Sequence, residues 1–216
     1  LLANLQNRGF SHANNQALAL ARGEYVLLLN PDTLVPQETL KGCIEFMDAH
    51  RGVASTGVKM LNRNGTFAME SRRGLLTPWV AFCKATKLCR LFPHSRLFGG
   101  YYMSYLDKEQ ANPIDMVSGA FMFMRRTALE ECGHLDEQFF LYWEDTDLSY
   151  RMKKGGYQNY YLPLRLFHYK GESSVKSMLR YRYYLYSSTL IFLKKHTLLN
   201  YRLMYMPIKA AILLCK

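Results

Sequence analysis

The sequence predicts an α/β protein, a mixed sheet flanked by helices, and three observations carry that expectation. Tyr25–Leu29 is an unbroken apolar run between Gly23 and Asn30-Pro31, too short for a buried helix, and reads as a strand covered on both faces. The Ala- and Leu-rich stretch before it, closed by Gly23, reads as a helix, so loop, helix and strand follow one another in a βαβ-like rhythm. A hydrophobic content of 49% over 216 residues, with sixteen Tyr and twelve Phe, supplies a sizeable core and excludes a disordered chain. That length fits one domain, or one domain with an appendage.

Ser11 is read as the N-cap of a helix from His12 to Arg22. Asn14 and Asn15 fall in its first turn, where backbone N–H groups either favour an anion or are simply solvated by the amides. Pro31 cannot donate to a ladder and ends the first strand. Pro36 opens a second helix to about His50, with Leu40, Ile44 and Met47 on one face. Val53–Lys59 reads as a strand, and Asn64-Gly65 as a hairpin turn. Arg72-Arg73 reads as an exposed basic pair before it reads as a phosphate clamp. Leu75–Asn112 has no clean period and is expected to be a loop over a cleft, with short helices. Ile114–Met124 reads as a strand interrupted at Gly119, followed by a short helix capped by Thr127 and ended by Gly133. Phe139–Trp143 reads as an extended aromatic run into a helix from Asp145 to Lys154. Tyr157–Leu162 and Arg165–His168 read as two short strands.

Two acidic places carry the chemistry. Asp32 is presented just past the carboxyl end of the first strand, where open α/β sheets place their ligands. A carboxylate there suits a hard divalent cation carrying a diphosphate, although Asn-Pro-Asp-Thr taken alone is also common turn chemistry. Glu144, Asp145 and Asp147 are costly to hold together without a cation or a proton-transfer task, unless a helix dipole stabilises them. His168 ends a strand and is either a structural histidine or a metal ligand.

In order and spacing, Asn7-x-Gly-Phe-x-x-x-Asn-Asn15, the strand with Asn-Pro-Asp-Thr, Ser118-Gly-Ala, Gly133-x-x-Asp136-x-x-Phe139, Trp143-Glu-Asp145-x-Asp147-Leu-x-x-Arg151 and His168 resemble glycosyltransferase family 2. The likeness covers roughly residues 4–195 and is nearest to bacterial rhamnosyltransferase-like enzymes of the GT-A fold, a Rossmann-like mixed sheet. It implies inverting transfer of a sugar from a nucleotide-diphosphate-sugar to a hydroxyl of a glycan or lipid-linked acceptor in cell-surface polysaccharide synthesis. It also implies that Asp32 holds Mg2+ or Mn2+, that His168 completes the metal site, that Asp145 is the general base and that Glu144 shapes its field or touches the acceptor. Asn7, Gly9, Asn15 and Asn30, the last standing for the first acid of the family's D-x-D motif, would lie along the nucleotide. The family normally begins with a strand, a Tyr-Asn pair and a base-contacting Asp. The opening Leu1-Leu2-Ala3-Asn4 lacks them, so an N-terminally incomplete domain is expected.

Of the formal charge of +11, residues 170–216 hold nine Lys or Arg against the single acid Glu172. The chain is therefore divided into a catalytic domain, 1–176, and a C-terminal helical segment, 177–216. A helix from Ser177 to Lys195, with Leu179, Tyr183, Tyr186, Leu190 and Leu193 near one face, either lies on an anionic inner membrane or packs on the catalytic domain. Leu203–Cys215, broken by Pro207 and Lys209, falls short of the ~20 residues of a membrane span. No nucleic-acid motif accompanies the charge. Five cysteines (Cys43, Cys83, Cys89, Cys132, Cys215) without a C-x-x-C pair fit a reducing compartment. The expected location is cytoplasmic, peripheral at the inner face of the bacterial plasma membrane. A catalytically silent relative that binds glycan or membrane is the rival reading.

Overall fold

In a computed structural model, residues 2–169 and 178–213 are described, the side chains of residues 198–201 excepted. Ser177 and Cys215 lie outside them. The chain forms two compact units: residues 22–133 with 149–169, and residues 2–21 with 134–148 and 178–213.

The first unit is built on a six-stranded mixed sheet: β1 Tyr25–Leu29, β2 Thr33–Leu34, β3 Val53–Leu61, β4 Asn112–Ile114, β5 Phe121–Arg125 and β6 Gln158–His168. Its order is β1-β5-β3-β6-β2, with β4 also paired to β6. The central β3–β6 pair is parallel and the other ladders are antiparallel. β3 is buried along nearly its whole length because both of its faces and both of its edges are covered. Helix α2, Gln37–Ala49, begins after Pro36 as expected, but it buries Thr39, Cys43 and Met47, leaving Leu40 and Ile44 exposed. That face packs on Val53, Val58, Phe121, Phe123 and Leu166. Burial there pushes the Cys43 thiol up to about 12.

Several expectations are corrected. β1 ends the strand order among the described residues and buries only Leu28, so it is not covered on both faces. Residues 114–124 are not one strand: Ile114 ends β4, which lies beside β6, residues 115–120 are in no strand, and β5, which lies between β1 and β3, begins at Phe121. Conversely, Gln158–His168 is one strand, because a register shift between Val58 and Lys59 of β3 absorbs Pro163. Thr127 lies inside helix α5, Arg126–Cys132, which has no side-chain cap. Within 75–112 stand helices α3, Pro78–Ala85, and α4, Leu88–Leu91.

In the second unit, helix α1, Phe10–Leu18, starts two residues earlier than expected. Ser11 is not its cap but is buried within it, donating to the Phe139 carbonyl at 3.0 Å. Residues 139–143 form no strand. Helix α6, Glu144–Lys154, contributes its first turn to this unit, joined by α7, Met178–His196, and α8, Leu198–Leu213. α7 turns Ser188, Thr189, Phe192 and Leu193 inward; Leu179 and Tyr183 of the expected face are exposed. Pro207 lies within α8 rather than ending it. No described helix is long and apolar enough to cross a membrane.

Candidate active site

In the sheet unit, the end of β1 is fixed on both sides. The Asn30 N–H donates to the Ala120 carbonyl at 3.0 Å, which seats the Ser118-Gly-Ala turn beside it, and the Thr33 hydroxyl closes the Pro31-Asp32 turn on the Asn30 carbonyl at 2.7 Å. The chain then re-enters the sheet as β2, whose Thr33 pairs with His168 of β6. The Tyr169 N–H donates to the Asp32 carbonyl at 2.9 Å. This register brings His168 Nε2 to 3.3 Å from Asp32 Oδ1, with both side chains nearly buried. His168 Nδ1 is buried and has no hydrogen-bond partner among the described residues, an expense that a ligand would remove.

A carboxylate and an imidazole at one point are a donor set suited to Mn2+ or Mg2+. Among the described residues no three His, Cys, Asp or Glu side chains converge on one metal position. Two protein ligands leave room for phosphate oxygens and water, as is common for a cation carried by a substrate. Arg72 is not an exposed cation here. It is buried against the rings of Phe67 and Tyr161 and donates to the Leu106 carbonyl, and desolvation lowers its pKa.

In the second unit, Asn7 Oδ1 accepts the Gly9 N–H at 3.0 Å, and Gly9 adopts φ 95°. A Cβ on Gly9 would meet the Phe140 carbonyl oxygen at 2.6 Å, so only glycine lets the Phe10 N–H reach that same oxygen at 2.8 Å. The Asn15 side chain binds the backbone of Leu135 at both ends, donating to its carbonyl at 2.8 Å and accepting its N–H at 3.1 Å. The segment from Asn7 to Asn15 is thereby clamped to residues 135–140.

Tyr142 and Trp143 hold φ of 68° and 72°, an unusual conformation for bulky side chains and one that concentrates at working sites. The turn is held by α7: Phe140 stacks on Tyr184 and Trp143 meets Phe192 at a tilt of 41°, each at 4.9 Å between centroids, and the Ser188 hydroxyl donates to the Leu141 carbonyl at 2.9 Å. It delivers Glu144, Asp145 and Asp147 to the first turn of α6, all buried. Asp145 Oδ1 accepts from the Thr146 N–H at 2.6 Å and the Thr146 hydroxyl at 3.1 Å. Asp147 is fully buried and meets His196 Nε2 at 2.6 Å and Lys195 Nζ at 2.9 Å; the same ammonium reaches Asp136 at 2.6 Å. The sequence marks Lys195 only as the end of the helix from Ser177 and does not single out His196. Their partner lies about fifty residues away, and no local signal points to it.

Residues 1–133 match the family model for glycosyl transferase family 2. Among curated relatives, the low-salt glycan biosynthesis hexosyltransferase Agl10 of Haloferax volcanii is 25% identical over 154 residues, 68% of this chain and 44% of that protein. Rhamnosyltransferase WbbL of Escherichia coli K12 is 23% identical over 168 residues, 72% and 58% of the two chains. The N-acetylglucosaminyl-diphospho-decaprenol L-rhamnosyltransferase of Mycobacterium tuberculosis is 34% identical over 82 residues, 38% of this chain and 27% of that one. The chain thus spans less than two thirds of each relative. The crystal structure of GalNAc-T7 with UDP, GalNAc and Mn2+ aligns with a TM-score of 0.57 at 15% identity, over 88% of this chain and 35% of that one. Mannosyltransferase PcManGT from Pyrobaculum calidifontis, in complex with GDP-Man and Mn2+, aligns at 0.53 and 17% identity, over 90% and 45%. These likenesses establish the GT-A fold. By the family match over most of its length and by that fold, the chain belongs to glycosyl transferase family 2.

Proposed function

We propose that the protein transfers a sugar, with inversion, from a nucleotide-diphosphate-sugar to a hydroxyl of a glycan or lipid-linked acceptor in bacterial cell-surface polysaccharide synthesis. The observation that carries the reading is the Asp32–His168 pair, a buried carboxylate and imidazole 3.3 Å apart at the end of β1. Asp32 and His168 would hold Mg2+ or Mn2+, and a cation bound there neutralises charge on the departing diphosphate. The donor enzymes aligned above were solved with Mn2+ and UDP or GDP-Man, which agrees with that role. Asn30 and the segment with Asn7 and Gly9 would run along the nucleotide, with Asn15 keeping that segment's shape through Leu135.

On the acceptor, Asp145 takes the hydroxyl proton as the acceptor oxygen bonds to the anomeric carbon and the carbon–oxygen bond to the diphosphate breaks. Glu144 shapes the field around that base. The rhamnosyltransferases among the relatives favour a deoxyhexose donor, and a lipid-linked acceptor would bring the protein to the inner face of the plasma membrane. Calorimetric titration of UDP, dTDP and GDP, each with and without Mn2+, into the protein and into Asp32→Ala tests the reading. Metal-dependent binding lost in the variant is expected. No binding of any nucleotide would overturn it in favour of a silent relative that binds glycan or membrane.

A further inference from the structure

We infer that the α3–α4 hairpin and the loop after it are a docking surface for an anionic lipid membrane. Between Ser71 and Leu106 the chain carries no Asp, Glu, Asn or Gln, while Lys84, Lys87, Arg90 and Arg96 are all exposed. The same stretch exposes five large apolar side chains: Trp79 (44%), Phe82 (51%), Leu91 (69%), Phe92 (46%) and Leu97 (59%). The three aromatic ones are connected through Phe98. Trp79 stacks on Phe82 at 5.6 Å and meets Phe98 at 6.0 Å, and Phe98 meets Phe92 at 5.2 Å. Buried Cys83 and Cys89 anchor the opposite faces of the two helices, so this apolar surface is presented outward by a fixed scaffold. Scattered exposed hydrophobics need no explanation; a connected aromatic patch ringed by cations does.

The polar groups beneath the patch are already satisfied, as entry into a lipid interface requires. The Trp79 indole N–H donates to the Leu97 carbonyl at 2.9 Å, leaving no donor to strand in an apolar layer. Thr77 caps α3 on the Val80 N–H at 3.2 Å, and the Gly99 N–H is bonded to Ser95 at 2.7 Å. Lys84 lies over the Tyr101 ring at 3.5 Å and Arg96 over Tyr105 at 5.6 Å, so long basic side chains run beside aromatic ones, as at a headgroup boundary. A sugar ligand is disfavoured because the patch has no carboxylate or amide with which to bind hydroxyls. A nucleic acid is disfavoured because Leu91 and Leu97, the most exposed of the five, offer no stacking face.

Partition of the full chain onto vesicles is read without any donor nucleotide, so its outcome is independent of the transferase reading. The chain should sediment with phosphatidylglycerol-containing vesicles at low salt and not with pure phosphatidylcholine. Lys87→Glu with Arg90→Glu should weaken partition by about thirtyfold or more, and Phe82→Ser with Leu91→Ser by about tenfold or more. In the unaltered chain, brominated acyl chains should quench tryptophan fluorescence, and Trp79→Phe should abolish that quenching while the protein still binds. Unchanged partition in both double variants would overturn the inference. So would loss on Leu203→Ser with Met206→Ser alone, absence of acyl-chain quenching, or a hairpin charge effect seen on duplex DNA but not on vesicles.

Discussion

Two acidic centres, one in each unit, solve the same electrostatic problem with different partners. At the end of β1, Asp32 meets an imidazole supplied by strand register, Thr33 standing opposite His168. At the start of α6, Asp147 meets an ammonium and an imidazole from the end of α7. A lysine ammonium is a compact point charge that offsets a desolvated carboxylate and has no lone pair to offer; an imidazole can be neutral and present a lone pair to a metal. The difference separates roles within the Glu144–Asp147 cluster. Asp147 is engaged as an anchor, with no exposed side-chain surface, whereas Asp145 is held by its own neighbour Thr146. Three acids in four residues are therefore affordable because one is structurally neutralised and all three share a helix N-terminus.

Substitutions on either side sharpen that contrast. The largest effect is expected for Asp145→Asn, which should lower kcat by about a hundredfold to ten-thousandfold while leaving donor affinity unchanged; steady-state transfer kinetics alongside calorimetry decide this. Equal loss in Asp147→Asn with no change in melting temperature would erase the proposed division between base and anchor. Next comes His196→Ala, which removes the imidazole from the desolvated Asp147 and should cost about 2–3 kcal/mol in chemical denaturation. Gly9→Ala forces a Cβ against the Phe140 carbonyl at an unfavourable φ and should cost about 1–3 kcal/mol by the same measurement.

The smallest effect concerns Glu137, whose carboxyl titrates below its ordinary value because His12, and then Asn15, hydrogen-bond to it. A depressed carboxyl pKa stabilises the fold above the unfolded-state value, and that contribution disappears as pH falls through the folded-state value. Stability of the native chain should thus decline more between neutrality and about pH 3 than that of Glu137→Gln. Superimposable acid limbs would mean that the clamp between α1 and residues 135–137 carries no ionic component.

Much of the architecture was legible where a single local rule governs. The apolar run at 25–29, Pro36 before α2, the Asn-Gly turn and Gly133 after α5 were each readable because strand, cap and breaker chemistry act over a few residues. Misreadings occurred where non-local packing chose between local options. The aromatic run 139–143 has strand propensity, yet α7 stacks on it and holds it as a left-handed turn. Ile114–Met124 looks continuous, but only its ends are strand, Ile114 pairing with β6 and Phe121–Met124 with β1 and β3. Ser11 and Thr127 resemble caps, and both lie one residue or more inside their helices.

By itself the sequence determined the α/β class, the two acidic centres and the family, since these reside in residue types and spacings along the chain. The resemblance already put His168 with Asp32, and strand register brings the two together. Only the tertiary structure decided that Lys195 and His196 are partners of Asp147, because helix packing selects them. It also decided that the uncharacteristic stretch from 75 to 112 presents a connected aromatic and basic surface. Exposure belongs to a folded surface, and no period in the sequence encodes it when the two helices are only four and eight residues long.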